Sequence, residues 1–349
     1  ELVVSMYGDN VYRFDKKTGK IRPLLLDDKD LHYQIRHSGR SVNLHNEPDG
    51  DLLLFSNALH RYDKSTGTCR KIATDVEIRH KSNFMIIAGT AEGVWMHDNT
   101  NVYFLRDDSD TLSLKGTHRH GNIRNGHLAA DGTIWLATEE GLCRFDTKTY
   151  QFSHITTTIF ADANSVVCDN HSRVWIGTEK GLSAYLIDSG SFAFFGESDG
   201  VQPNEYLPKP HLLTTDGEVY LGGVQGLLRI REDFEMDTSE DPVIKLMDLS
   251  IDGAPCHIDG NADIKVPRHS KTMDIEVGVA EKDMFRHRVY RFALSDKEVY
   301  ETAIPHLILQ RMPEPGRYEV TVSCTKRNGE WTEPFRLMSM VVPKPWFLT

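Results

Sequence analysis

The run Thr133-Ile134-Trp135-Leu136-Ala137-Thr138 returns forty residues later as Arg173-Val174-Trp175-Ile176-Gly177-Thr178, each copy followed after two residues by Gly-Leu. Trp95 lies forty residues before Trp135, inside Gly93-Val94-Trp95-Met96. A fixed period of this length marks a repeat architecture, and the type of unit has to be read from inside the repeat. In the middle copy Leu128-Ala129-Ala130 ends at Asp131-Gly132, a dipeptide suited to the left-handed positions of a tight turn. Thr133–Thr138, the turn Glu139-Glu140-Gly141, Leu142–Phe145, the polar turn Asp146-Thr147-Lys148-Thr149 and Tyr150–Ile155 follow. That is four short strands per repeat. Nothing here shows a helical period over ten or more residues, which excludes helix-pair solenoids. A four-stranded antiparallel unit of about forty residues is a β-propeller blade.

Weaker copies extend the series. The matching positions Phe14, Tyr62, Phe104, Phe145, Tyr185 and Ile230 are spaced 48, 42, 41, 40 and 45 residues apart. About six blades are expected, the first opening in its second strand, so a later strand or a further part of a larger propeller is needed to complete the ring. The expected boundaries are a propeller over 1–236, an acidic linker ending in a proline over 237–242, a second domain over 243–343 and a short tail over 344–349. The second domain loses the forty-residue period but keeps alternation: Ile244–Leu246, Leu249–Ile251, Ile264–Val266, Met273–Val277, Tyr290–Leu294, Tyr318–Val322 and Phe335–Val342. Strands of this number in about a hundred residues, with turns such as Asp252-Gly253 and Asn328-Gly329, predict an immunoglobulin-like β-sandwich. The fold class is therefore all-β, a β-propeller followed by an immunoglobulin-like β-sandwich.

The 39% apolar and 26% charged content is that of an ordinary globular protein. Forty basic against fifty-one acidic residues give a net charge of −11, which argues against nucleic acid as a partner of this chain, since such partners need a basic footprint. Cys69, Cys143, Cys168, Cys256 and Cys324 are odd in number and lack metal-type spacing, so they are read as buried free thiols.

The repeat copies around Trp135 and Trp175, each leading through Gly-Leu to an aromatic residue, resemble the two-component regulator propeller repeat. Asp199–Tyr206, continuing to Val219–Gly223, resembles the last blade of such propellers. Tyr290-x-Phe292, Pro315-Gly316-Arg317-Tyr318 and Asn328-Gly329-Glu330-Trp331 resemble the triple-tyrosine (YYY) domain that follows them, with Phe292 in place of one tyrosine. Pro343–Thr349 resembles the proline and aromatic segment just outside the membrane in hybrid two-component sensors of polysaccharide-degrading bacteria. The resemblance implies the periplasmic part of an inner-membrane sensor kinase. It would bind an oligosaccharide or other small-molecule ligand, signal through a YYY homodimer, and continue into a transmembrane helix and kinase regions. No enzyme activity, cofactor or metal is expected of this part.

Trp95, Trp135 and Trp175 could stack on sugars, but their shared place in each repeat favours packing between sheets. Asp131-Gly132-Thr133-Ile134-Trp135 also resembles the Asp-box of sialidase propellers, itself a turn element without chemistry. Candidate ligand contacts are the polar residues before the first strand of each blade, because such loops gather at a propeller's mouth. These are Arg40, Arg79, His118, His120, Asn122, Arg124, Asn164, Asn204 and Tyr206. His118-x-His120 as a metal site would need at least one more ligand from elsewhere. No carboxylate pair or activated nucleophile stands out as catalytic. The rival readings are a carbohydrate-active propeller enzyme, a lyase or a sialidase drawing on Arg40, Arg79, Arg124 and Tyr206, and a structural module that binds protein. In the C-terminal domain Tyr290, Phe292, Tyr318 and Trp331 are expected in the core.

Overall fold

The computed structural model describes residues 2–5, 11–24, 42–47, 50–55, 58–74, 84–155, 162–179, 181–196, 199–202, 205–236, 242–257, 263–280, 288–326 and 329–344. Arg40, Arg79, Asn204, most of the expected linker and Pro345–Thr349 lie outside the described residues. The regular elements are all strands, and no helix among the described residues is long and apolar enough to cross a membrane. The chain forms two compact units, Glu1–Ile155 with Asp162–Val166, and Thr156–Ala161 with Val167–Thr349.

The first unit holds successive antiparallel sheets of consecutive strands, consistent with propeller blades. The first sheet is Leu2–Ser5, Val11–Phe14 and Ile21–Pro23; the second is Asn43–Asn46, Leu52–Phe55, Leu59–Tyr62 and Cys69–Lys71. The third orders Met85–Thr90, Gly93–His97, Asn101–Arg106 and Thr111–Thr117, with Ala73–Thr74 added in parallel at its edge. The fourth is Ile123–Leu128, Thr133–Thr138, Gly141–Asp146 and Phe152–Ile155, close to the four strands expected from the repeat. The second unit holds most of a further four-stranded sheet, Ala163–Cys168, Arg173–Thr178, Gly181–Leu186 and Ser191–Phe195, and a three-stranded one, Tyr206–Leu213, Val219–Gly223 and Gly226–Ile230.

The second strand of each complete sheet is buried on both faces, which is why it reads as an apolar run and not as an alternation. Leu52 and Leu54 join the core that holds Val11 and Val42 of the first unit's start. Leu53 and Phe55 join the next core, with Val94 and Met96. Trp95 points the other way, to Ile123, Ile134, Leu136 and Phe145. The period-2 geometry of a strand thus assigns alternate side chains to the preceding and the following sheet. Trp175 likewise joins a core with Tyr206, Val219 and Leu221 of the sheet after its own. Trp95, Trp135 and Trp175 are all buried, in keeping with the packing role expected for them.

The outer hairpin of three of the repeats is closed by an aspartate. Asp146 Oδ1 accepts the backbone N–H groups of Lys148 and Thr149 at 2.8 and 2.9 Å. Asp63 does the same for Ser65 and Thr66, and Asp15 for Lys17 and Thr18. The fifth residue of each turn takes a left-handed φ: Gly19 at 68°, Gly67 at 77° and Tyr150 at 59°. Only in the third case does a side chain have to be accommodated there.

Two sheets follow in the second unit. One orders Ala254–Pro255, Val243–Ile251, Met273–Ala280 and His306–Leu309; the other orders Ile264–Lys265, Phe335–Val342, Gly316–Cys324, Tyr290–Ser295 and Glu298–Thr302. They share one core, in which Ile275, Phe292, Val320, Val322 and Met340 are fully enclosed. Tyr290 and Phe292 are buried as expected. Tyr318 and Trp331 are not: Tyr318 is half-buried and its hydroxyl donates to the Glu314 carbonyl at 2.6 Å, while Trp331 is half-buried under the Arg291 guanidinium, 3.8 Å from its ring centre. All five cysteines are free, with Cys143, Cys168 and Cys324 buried and Cys69 and Cys256 only partly so.

Candidate functional site

The turn between Thr117 and Ile123 carries the densest polar cluster of the sequence, and the structure splits it in two. One part builds a partly exposed network at the start of the fourth sheet. Asn122 donates its backbone N–H to Glu139 Oε2 at 2.9 Å and its side-chain amide to Glu139 Oε1 at 2.8 Å. These bonds, the backbone one first, hold the Glu139 carboxyl below the usual range, with the Arg124 guanidinium adding to the effect. Arg124 projects from Ile123–Leu128, donates to the side-chain oxygen of Asn164, and reaches Asp162 at 2.9 Å and Glu139 at 4.0 Å. Asn164 is buried, and Asp162 sits in the left-handed region at φ 68°. Three of the expected ligand contacts, Asn122, Arg124 and Asn164, are therefore brought together. Glu139 and Asp162 complete the set and escaped the sequence reading. Glu139 looked like one of two glutamates in a tight turn, although its place four residues beyond Trp135, opposite the start of Ile123–Leu128, was a usable signal.

This edge is rich in amide and carboxylate groups, and its guanidinium is already balanced by two carboxylates. Such a surface offers paired donors and acceptors to neutral hydroxyl groups. An anionic ligand would have to displace Asp162 or Glu139 from Arg124.

The other part of the cluster turns inward. His118, read from the sequence as a loop ligand contact, is only 2% exposed. Its ring packs 5.5 Å from Phe152 and 4.9 Å from His154, centre to centre. His120 stays exposed, 4.6 Å from the His154 ring and 3.7 Å from Glu140. Cys143 lies directly opposite His154 across the Gly141–Asp146 and Phe152–Ile155 pairing, and burial pushes its thiol up to about 12. Burial, the largest cause, also lowers the His118 and His154 imidazoles. His118, Cys143 and His154 are the described residues best placed to hold a metal.

Tyr206 departs from expectation as well. It is 1% exposed, in a core with Trp175, Val219 and Leu221, and burial raises its hydroxyl to about 12. In the same unit Trp175 gives its indole N–H to Asp169 at 2.8 Å and packs against Phe195 and Phe234, so its ring faces are spent on protein.

No protein-family model matches the chain. Histidine kinase P4 of Formosa agariphila is 21% identical over 200 residues, which is 52% of this chain and 14% of that protein. Among solved structures, the extracellular domain of the hybrid two-component system BT3049 from B. thetaiotaomicron superposes with a TM-score of 0.59 at 15% identity. That match covers 98% of this chain and 48% of the other. The extracellular domain of BT4673 from the same organism gives 0.48 at 15% identity, over 97% of this chain and 54% of the other. The chain thus spans about half the length of these structures and a small part of the curated kinase. At such identity the likeness to the BT3049 domain establishes a shared all-β fold along nearly the whole chain.

Proposed function

We propose that this chain is the extracytoplasmic, periplasmic ligand-sensing region of a membrane-bound hybrid two-component kinase, and that it is not itself an enzyme. The observation that carries the reading is the likeness over 98% of the chain to an extracellular domain named for a hybrid two-component system. The 200-residue match to a protein named as a histidine kinase points the same way. In this reading the stacked sheets belong to a β-propeller, and the two C-terminal sheets are an immunoglobulin-like YYY domain that passes the signal toward a transmembrane helix further along the protein. Exposed Val299, Tyr300 and Ile308 on the C-terminal sheets, with Ile304 between two of their strands, offer apolar surface for the pairing of two copies. Ligand binding signals by favouring one arrangement of the pair, which requires unequal affinity for the two arrangements.

The ligand is placed at the network of Asn122, Arg124, Glu139, Asp162 and Asn164. Its charge balance favours a neutral oligosaccharide over an acidic one. The test is a thermal-shift screen against defined neutral and acidic oligosaccharides, with chromatography of each sugar afterwards. A ligand that binds only the folded state raises the melting temperature, by about 2.7 kcal/mol of stability at a hundredfold excess over its Kd. The expected outcome is a shift with an intact neutral sugar, lost in Arg124→Ala. A cleaved sugar would replace the sensor by the carbohydrate-active enzyme. A shift unchanged in Arg124→Ala would move the ligand away from this network.

A further inference from the structure

The His118, Cys143 and His154 side chains come from two sheets of the first unit. Cys143 and His154 are cross-strand neighbours on one face of the fourth sheet, and His118 follows the last strand of the third. Directly opposed residues in an antiparallel pair place their Cβ atoms about 4.5–5.5 Å apart, so both side chains rise together toward His118. One potential ligand atom from each of the three lies within 4.8 Å of the other two.

The hydrogen bonding of His118 selects its free nitrogen. Nδ1 stands 3.1 Å from the Gly121 carbonyl, which can only accept, so Nδ1 carries the proton. Nε2 is then left with a lone pair, and it is buried with no hydrogen-bond partner. A buried polar atom without a partner ordinarily costs about 1–3 kcal/mol, so it asks for an explanation. Ring packing against Phe152 accounts for the imidazole plane but leaves this nitrogen unused. A backbone carbonyl on one nitrogen, with the other free and turned inward, is the arrangement that metal-bound histidines adopt.

We propose that His118 Nε2, Cys143 Sγ and His154 form a zinc-binding site that ties the third sheet to the fourth. The donor set decides the metal: a thiolate and two imidazoles suit a borderline-soft cation, whereas magnesium and calcium take oxygen ligands. With Zn–N near 2.0–2.1 Å and Zn–S near 2.3 Å, tetrahedral ligands stand roughly 3.3–3.8 Å apart, so the three atoms close by about an ångström on binding. His120, beside His154, is within reach of the fourth position; otherwise water fills it. Binding exchanges the Cys143 S–H bond for an S–Zn bond and releases that proton to solvent.

The experiment is titration of the chelator-treated protein with Zn²⁺ and, for its spectrum, with Co²⁺. The expected result is binding of one equivalent, a raised melting temperature with Zn²⁺ but not Mg²⁺, and a thiolate-to-cobalt charge-transfer band with the intense visible absorption of tetrahedral cobalt. Cys143→Ala should abolish the band, and His154→Gln should weaken zinc binding by about tenfold or more. Should Cys143→Ala fail to fold, the half-buried His154→Gln carries the comparison alone. Absence of the band in the unaltered protein would overturn the site. So would a band that survives Cys143→Ala, as it would if the partly exposed Cys69 or Cys256 were the ligand, or zinc affinity unchanged in His154→Gln.

Discussion

The carboxylate of Asp63 accepts bonds from the Ser65 hydroxyl and from the backbone of Ser65 and Thr66, and these hold it at about 2. Asp15 and Asp146 are lowered for the same reason, with backbone N–H groups as the leading cause. An unfolded aspartate titrates near 3.9, so between about pH 4 and pH 2 the unfolded chain binds more protons than the folded one. The contribution of these turns is complete above about pH 4 and is lost as pH falls toward 2. Melting temperature should therefore drop steeply over that interval, and Asp63→Asn, which keeps an acceptor but cannot titrate, should flatten the drop. An unchanged slope in Asp63→Asn would refute the assignment. The turns themselves were legible from Asp146-Thr147-Lys148-Thr149 and its relatives. The acid sensitivity was not, because it depends on which N–H groups the carboxylate meets.

The stacking of sheets through alternate side chains leaves little room where first strands approach each other. A Cβ on Gly126 would stand 3.0 Å from Ile87 and 3.1 Å from Leu136, on strands of the neighbouring and the same sheet. Gly126→Val should destabilise the first unit by about 1–3 kcal/mol, the usual effect of overfilling a packed interior. Denaturant unfolding would measure it, and a neutral result would mean that the sheets can part freely at this point. Strand positions were largely readable from the repeat, yet Ile244–Leu246 and Leu249–Ile251, which read as separate strands, form the single strand Val243–Ile251. A bulge between Leu246 and Asp248 shifts the register there, so buried Ile244 is out of phase with buried Leu249 and Ile251. Glu298–Thr302 went unseen because it lies at a sheet edge with most of its side chains exposed, and so carries no apolar pattern. The candidate site was half legible for a related reason. Local polarity exposed His118, Asn122 and Arg124, but Cys143, His154, Glu139 and Asp162 reach them only through strand register.

Each compact unit has its own buried aromatic anchors, which makes their stabilities separable. Trp135 belongs to the first unit and Phe292 to the second, and large-to-small changes at such sites cost about 3–5 kcal/mol. Calorimetry should resolve more than one transition, with Trp135→Ala and Phe292→Ala lowering different ones. A single transition lowered by both would show that the whole chain unfolds as one. A chain built of near-copies also faces a hazard while it folds, since one copy's strand can enter the sheet meant for another. The trio of Arg173, Asp169 and Trp175 bears on that hazard. Asp169 accepts from Arg173 at 2.6 Å and from the Trp175 indole, and Arg173 also donates to the Phe234 carbonyl at 2.8 Å. Forty residues earlier the places of Arg173 and Asp169 are taken by Thr133 and Ala129. Exchanging Arg173–Thr178 for Thr133–Thr138 would strand the Asp169 carboxylate in one sheet and the Arg173 guanidinium in the other, each buried without its partner at a cost of several kcal/mol. The ion pair thus serves as an address label, distinguishing two strands whose apolar patterns are almost interchangeable.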